Sequence, residues 1–105
     1  MEINIINTTT NCKKTAKKIA NHLIINKLSP CVQLVPLIES IYKWQGKMEN
    51  TKEILMVIKV VPEHLQECKK CILELHNYDI PEIIVLKSEI LLDTYRKWFL
   101  KNSTK

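Results

Sequence analysis

The sequence predicts an α+β fold over residues 1–105, with the element order β-α-β-β-α-β followed by a C-terminal helix. Three observations lead to this prediction. Strand-like apolar runs are separated by segments whose apolar residues recur with the period of a helix. Two strand-like runs in the middle of the chain follow each other directly, as in a hairpin. A length of 105 residues leaves room for one domain.

The first predicted elements are a short strand and a basic helix. Residues 2–7 are rich in isoleucine and predict the strand. Residues 11–28 have a helical apolar period, and four lysines lie on or beside the opposite face, namely Lys13, Lys14, Lys17 and Lys18. These charges oppose the helix dipole, so packing must stabilise the helix. Ser29 and Pro30 end it.

The middle of the chain predicts a long hairpin. Its first strand covers residues 31–48 and is bent or confined to an edge by Pro36. The polar residues 49–52 predict the turn, and residues 53–61 predict the return strand. Gly46, which lies inside the strand pattern, predicts a bulge or a close backbone approach.

The last predicted elements are a helix, a strand and a terminal helix. Pro62 opens the first of these helices, residues 82–86 form the strand, and Ser88 caps the terminal helix. The complete order is that of the ferredoxin-like fold, an antiparallel sheet with both main helices on one face. Because residues 54–58 are apolar without alternation, this strand is expected to be covered on both faces. We therefore expect copies of the chain to associate through the bare face.

Composition narrows the classes of partner. The net charge is +5, yet Arg96 is the only arginine, which argues against nucleic-acid binding because phosphate and base recognition rely on arginine. The longest apolar run, residues 54–61, is interrupted by Lys59 and is too short to span a bilayer, so no membrane partner is expected. Residues 1–4 lack the basic stretch of a signal peptide, which favours a cytoplasmic location with reduced thiols.

Several segments together resemble the CutA divalent-cation-tolerance family. These segments are residues 40–47 (Ser-Ile-Tyr-Lys-Trp-Gln-Gly-Lys), residues 31–32, the strand opened by Glu53, residues 75–83 and residues 95–98. They occur in the order of the family and cover most of the chain. The resemblance implies a homotrimer of ferredoxin-like subunits in which the hairpin reaches a neighbour. It also implies a role with divalent metal cations, copper among them.

The resemblance further implies site residues. Of the family's proposed copper ligands only His76 is matched, with Glu82 or a thiolate as its companion; a C-terminal helix cap is the alternative for His76. The implied cleft between subunits, which would bind the metal or an anion, holds Tyr42, Trp44, Lys47, Glu53, Lys59 and Tyr78. Lys47 and Glu53 could also form a cross-strand ion pair. The expected trimer interface comprises Tyr42, Trp44, Met56, Ile58 and Trp98.

The remaining motifs favour a binding protein over an enzyme. Cys68 and Cys71 are spaced like a redox or zinc pair, but they lie mid-helix without a second pair, which favours core packing. One glycine cannot build a phosphate-binding loop. We expect a homotrimeric binding protein of metal tolerance. The alternatives are an adaptor trimer contacted by a partner protein, without a metal site, and thirdly an enzyme with its site between subunits.

Overall fold

The structure is a computed structural model that describes residues 1–104, so Lys105 of the predicted span 1–105 lies outside the described residues. These residues form four strands, three α-helices and a 3₁₀ turn at Pro62–His64. The strands and helices are β1 (Glu2–Thr10), α1 (Lys13–Ile25), β2 (Cys31–Trp44), β3 (Lys47–Val60), α2 (Leu65–Leu75), β4 (Ile84–Glu89) and α3 (Asp93–Lys101).

The predicted ferredoxin-like arrangement is confirmed. The strands form one antiparallel sheet in the order β2-β3-β1-β4. Both α1 and α2 pack on the same face of this sheet, since their apolar residues join one core with those of β1 and β3. This is the layer arrangement expected when two helices connect strands of a split β-α-β unit.

The main core lies between the sheet and the two helices. Ile6, Met56 and Ile58 of the sheet are fully buried there, beneath helix residues that include Ala16, Ile19, Leu23, Cys68, Cys71 and Ile72. Alternate residues of a strand point to opposite faces, so Met56 and Ile58 share the helix side. The prediction that these two residues lie at a subunit interface is wrong, because both are already buried within one chain.

The sheet face opposite α1 and α2, called the open face, carries Ile5, Asn7, Leu55, Val57 and Leu86. Helix α3 covers only one end of this side of the molecule, where Phe99 packs fully buried in a second apolar cluster with Ile3, Val61 and Tyr95. The other described residues leave the rest of the open face uncovered, and Leu86 is exposed there. An apolar sheet surface of this kind is typical of an interface.

The start of α3 differs from the prediction. Ser88 does not cap a helix, because it pairs with Ile3 inside β4, and α3 begins later, at Asp93. Hydrogen bonding between β4 and β1 therefore outweighs the capping preference of serine. Asp93 holds the first turn instead, since it accepts hydrogen bonds of 2.8 and 2.7 Å from Nε and Nη2 of Arg96.

The hairpin turn also differs from the prediction. The chain reverses at Gln45 and Gly46, whose φ angles are 50° and 79°, and the polar residues 49–52 continue strand β3. Positive φ at both central residues is the geometry of the tight turns that match strand twist. Among the described residues, none beyond Gly46 and its two chain neighbours has an atom within 4 Å of a Cβ built on Gly46, so the expected close backbone approach is wrong. The register shift lies instead between Val35 and Ile38, at the predicted Pro36 bend.

The outer part of the hairpin, called the ribbon, comprises the pairs from Ile38↔Glu53 to Trp44↔Lys47. β1 pairs with β3 only as far as Ile54, so no third strand accompanies the ribbon. In this register Lys47 faces Trp44 and Glu53 faces Ile38, which excludes the predicted cross-strand pair of Lys47 with Glu53.

The turn geometry predicts opposite effects for two substitutions. Gly46→Ala should lower the free energy of unfolding by about 1 kcal/mol, because alanine resists a positive φ and no steric clash contributes. Gln45→Asn should raise it slightly, since asparagine tolerates the left-handed region. Chemical denaturation at one fixed protein concentration measures both. A neutral Gly46→Ala variant would contradict the turn.

Candidate functional site

A cleft of about 720 Å³ lies where the ribbon meets the segment that follows α2. Five residues expected in the site line it: Tyr42, Trp44, Glu53, Tyr78 and Glu82. The ribbon supplies the first three, and residues 78–82 supply the others. The structure therefore brings these five residues together around one cleft.

Glu53 and Tyr78 join the two walls. The Tyr78 hydroxyl donates a hydrogen bond of 2.6 Å to Oε2 of Glu53, and Glu53 is only 7% exposed. Glu53 lies at the base of the ribbon because, after the register shift between Val35 and Ile38, it pairs with Ile38. Burial first, and the hydrogen bond to Glu53 second, raise the pKa of Tyr78 well above its ordinary value. Tyr78 therefore remains a neutral hydrogen-bond donor.

His76 positions Tyr78 and has no free nitrogen. Its Nδ1 accepts a hydrogen bond of 2.9 Å from the backbone N–H of Tyr78, so Nε2 carries the proton and donates to the Thr9 carbonyl at 2.9 Å. The two rings lie with centroids 4.8 Å apart. His76 is the residue that ends α2, as the helix-cap alternative expected. Metal ligation by His76 would require one of these hydrogen bonds to break.

Two asparagines, which the sequence pattern did not single out, hold the same segment. The Thr10 hydroxyl donates to Oδ1 of Asn77 at 2.5 Å, and Nδ2 of Asn77 donates to Oδ1 of Asn11 at 2.8 Å. These contacts join residues 66 or more positions apart in the chain, so no local pattern could have identified them. Together with His76 they fix the segment against the end of β1.

The cleft is acidic although the chain is basic overall. Carboxylates of Glu49, Glu53, Asp79 and Glu82 line it, and its lining contains no lysine or arginine among the described residues. Glu49 and Asp79 were not among the predicted site residues. The arrangement attracts cations and repels anions.

The two predicted cleft lysines lie elsewhere. Lys47 is exposed beside the hairpin turn. Lys59 lies at the opposite end of β3, where its Nζ is 5.9 Å from the centre of the Tyr95 ring. A cation over an aromatic face is attracted by the ring, which explains how this charge is accommodated in an apolar strand. Lys47 and Lys59 therefore do not line this cleft within one chain, and their place in the expected cleft between subunits stays a prediction.

The donors of the cleft do not fit copper. Copper favours imidazole and thiolate ligands, whereas both nitrogens of His76 are engaged. Burial raises the pKa of Cys68 to about 12, which keeps this core thiol protonated. Within residues 1–104 no three His, Cys, Asp or Glu side chains are grouped to hold a metal ion. The carboxylate oxygens present suit harder divalent cations, held without a preformed cage.

Three aromatic residues expected at an interface remain accessible. Tyr42, Trp44 and Trp98 are 43%, 48% and 43% exposed. Tyr42 and Trp44 lie on the same face of the ribbon as Glu53, and the Tyr42 hydroxyl is 3.0 Å from that of Thr51. These large side chains have the amphipathic character of interface anchors. Their predicted contact with another copy stays a prediction.

Comparison with known proteins gives one consistent result. The profile of a family described as "CutA1 divalent ion tolerance protein" matches residues 4–102. "Protein CutA, chloroplastic" of Arabidopsis thaliana is 38% identical over 101 residues, which are 96% of this chain and 55% of that protein. The chain thus spans about half the length of this relative.

Two bacterial relatives match over nearly their whole length. The "Divalent-cation tolerance protein CutA" of Thermus thermophilus is 30% identical over 99 residues, covering 94% of this chain and 96% of that protein. The crystal structure of CutA1 from Ehrlichia chaffeensis matches with a TM-score of 0.92 at 28% identity, over 98% of this chain and 96% of that chain. The resemblance found in the sequence is confirmed.

The contact between Tyr78 and Glu53 predicts a stability difference between two conservative variants. Tyr78→Phe should lower the free energy of unfolding by about 1–3 kcal/mol, because it leaves a buried carboxylate without its donor. Tyr42→Phe, the matched control, loses only an exposed hydroxyl contact and should have little effect. Urea denaturation distinguishes the two. Equal effects would contradict the role given to Tyr78.

The raised pKa of Tyr78 adds a pH dependence. Above the ordinary tyrosine value of 10.0 the unfolded chain releases the phenol proton while the folded chain retains it. Unfolding is then favoured, so stability should fall as the pH rises past 10.0. The Tyr78→Phe variant should lose less stability over this range, and an identical loss would contradict the shift.

Proposed function

The chain belongs to the CutA1 divalent ion tolerance family, and we propose that it is a self-assembling protein of divalent-ion tolerance that binds cations in the acidic cleft. The observation that supports this most is the charge of the cleft. Four carboxylates line it, without a lysine or arginine among the described residues, in a chain with a net charge of +5. The neutral Tyr78 holds one of these carboxylates in place.

Assembly is the second part of the proposal. In the part of the chain that the structure describes, the ribbon has no third strand and the apolar side chains of the open face stay uncovered. A two-stranded ribbon alone is marginally stable in water. A homotrimer is proposed because the family resemblance implies three copies, and Tyr42, Trp44 and Trp98 are the proposed contacts.

Binding without catalysis is the third part. The lining of the cleft combines carboxylates, aromatic rings and isoleucines with Thr9 and Ser40. Among the described residues it includes no cysteine nucleophile, and no histidine or lysine that would activate a hydroxyl. Carboxylate oxygens support a hard divalent cation over copper. A cytoplasmic location also stays a proposal, since the Arabidopsis relative is named as chloroplastic.

Calorimetric titration of the reduced protein with Mg(II), Mn(II), Zn(II) and Cu(II) tests the site. We expect saturable binding of a hard cation that is lost when two cleft carboxylates are neutralised, in the variant Glu49→Gln/Glu82→Gln. The matched control, Glu67→Gln/Glu74→Gln, removes the same charge from exposed positions of α2 and should bind like the parent chain.

A third variant, His76→Ala, separates two ligand sets. Copper binding that is lost in this variant, yet survives loss of the cleft carboxylates, would support the predicted His76 site over the cleft. Absence of saturable binding, or equal binding by the cleft variant, would overturn cation binding and favour the adaptor trimer that a partner protein contacts.

A further inference from the structure

The outward side of α1 combines lysines with isoleucines. Its first two turns expose Lys13, Lys14, Lys17 and Lys18, and its last turn exposes Ile24 and Ile25, at 41% and 78%. We call these six residues the basic face. The buried side of the same helix packs on the core through Ala16, Ile19 and Leu23, so the basic face points away from the protein.

Within residues 1–104 the basic face has no ion-pair partner. Residues 3–38 contain no aspartate or glutamate. The ion pairs found within residues 1–104 involve only Arg96 and Lys97 with Asp93, far from α1 in the sequence. The neighbouring α2 carries equal numbers of lysine and glutamate, with two of each. The positive charge of the helix layer therefore comes from α1 and is available to a partner.

This charge pattern destabilises α1. The first turn has no acidic residue and no side-chain cap, and its lysines oppose the helix dipole. The pairs Lys13–Lys17 and Lys14–Lys18 also place like charges one helical turn apart. Packing of Ala16, Ile19 and Leu23 on the core stabilises the helix, but no ion pair within the described residues neutralises its lysines. A local conflict that packing elsewhere must offset is typical of a functional surface.

The location keeps the basic face accessible after assembly. Helix α1 packs on the sheet face opposite the open face, which carries Leu55 and Val57. Copies that cover the open face leave the helix layer outside. The basic face is also separate from the acidic cleft, whose lining includes none of its residues.

We propose that the basic face docks the protein on an anionic lipid surface. Lysines beside exposed isoleucines match the two requirements of such docking, attraction to anionic headgroups and a small apolar insertion. A nucleic acid would use the lysines but not Ile24 and Ile25, and the face has no arginine or aromatic side chain to read or stack bases. None of the helices within residues 1–104 could cross a bilayer, and surface docking does not require one.

Vesicle co-sedimentation tests the proposal. The protein should bind vesicles of phosphatidylglycerol and phosphatidylcholine, should not bind vesicles of phosphatidylcholine alone, and should dissociate at high salt. Binding should weaken by about tenfold or more when the four lysines of the basic face become glutamine. A matched control variant removes the same charge at exposed positions outside the basic face and should keep its binding to vesicles. Its substitutions are Lys43→Gln, Lys47→Gln, Lys87→Gln and Lys101→Gln.

Two further measurements distinguish docking by the basic face from misfolding and from attraction by charge alone. The basic-face variant should melt at the same temperature as the parent chain or higher, because the like-charge repulsion in α1 is relieved. The double variant Ile24→Ser/Ile25→Ser should weaken vesicle binding while keeping the net charge. Three results would each overturn the proposal. The first is an equal loss of vesicle binding in the basic-face and control variants, and the second is binding to vesicles of phosphatidylcholine alone. The third is binding to duplex DNA or RNA but not to anionic vesicles.

Discussion

The unsupported ribbon is the constraint on which the rest of the structure depends. Seven residue pairs of β2 and β3 extend past the end of β1, and both faces of this extension carry apolar side chains, with Ile41 and Met48 on one and Tyr42 and Trp44 on the other. Hydrogen bonds between two strands do not hold such a ribbon in water by themselves. Its order therefore implies further surface, which other copies of the chain can supply together with cover for the open face.

The candidate site depends on the same ribbon. One wall of the acidic cleft is the ribbon, and the other is the segment that His76 and Asn77 hold against β1. The bond between Tyr78 and Glu53 joins the two walls at the base of the ribbon. Movement of the ribbon would open the cleft, so assembly and cation binding should be coupled by linkage. The basic face of α1 lies outside this coupled unit, on the other side of the sheet.

The element order was predictable because hydrophobic periodicity reports it directly. The face of the sheet on which each residue of β3 lies was not predictable in this way. An unbroken apolar run gives no alternation, and so Met56 and Ile58 were assigned to the wrong face of the sheet. Glu53 and Lys59 lie on the same face of β3 as Leu55, since odd-numbered residues of this strand share a face. They could have identified the open face, because charged residues avoid a core beneath helices. The hairpin turn was misplaced because polar residues at 49–52 resemble a loop, although backbone geometry alone selects Gln45 and Gly46. The acidic cleft was predictable only in part, since Glu49 and Asp79 meet through tertiary contacts.

Sedimentation equilibrium of the reduced chain tests self-association most directly. The open face and the ribbon predict self-association, and the family resemblance implies three copies. The expected mass is therefore three times the chain mass of 12.3 kDa, retained at the lowest concentration that absorbance can follow. A mass of 12.3 kDa for a folded chain would contradict self-association, since the ribbon would then be stable without any partner surface.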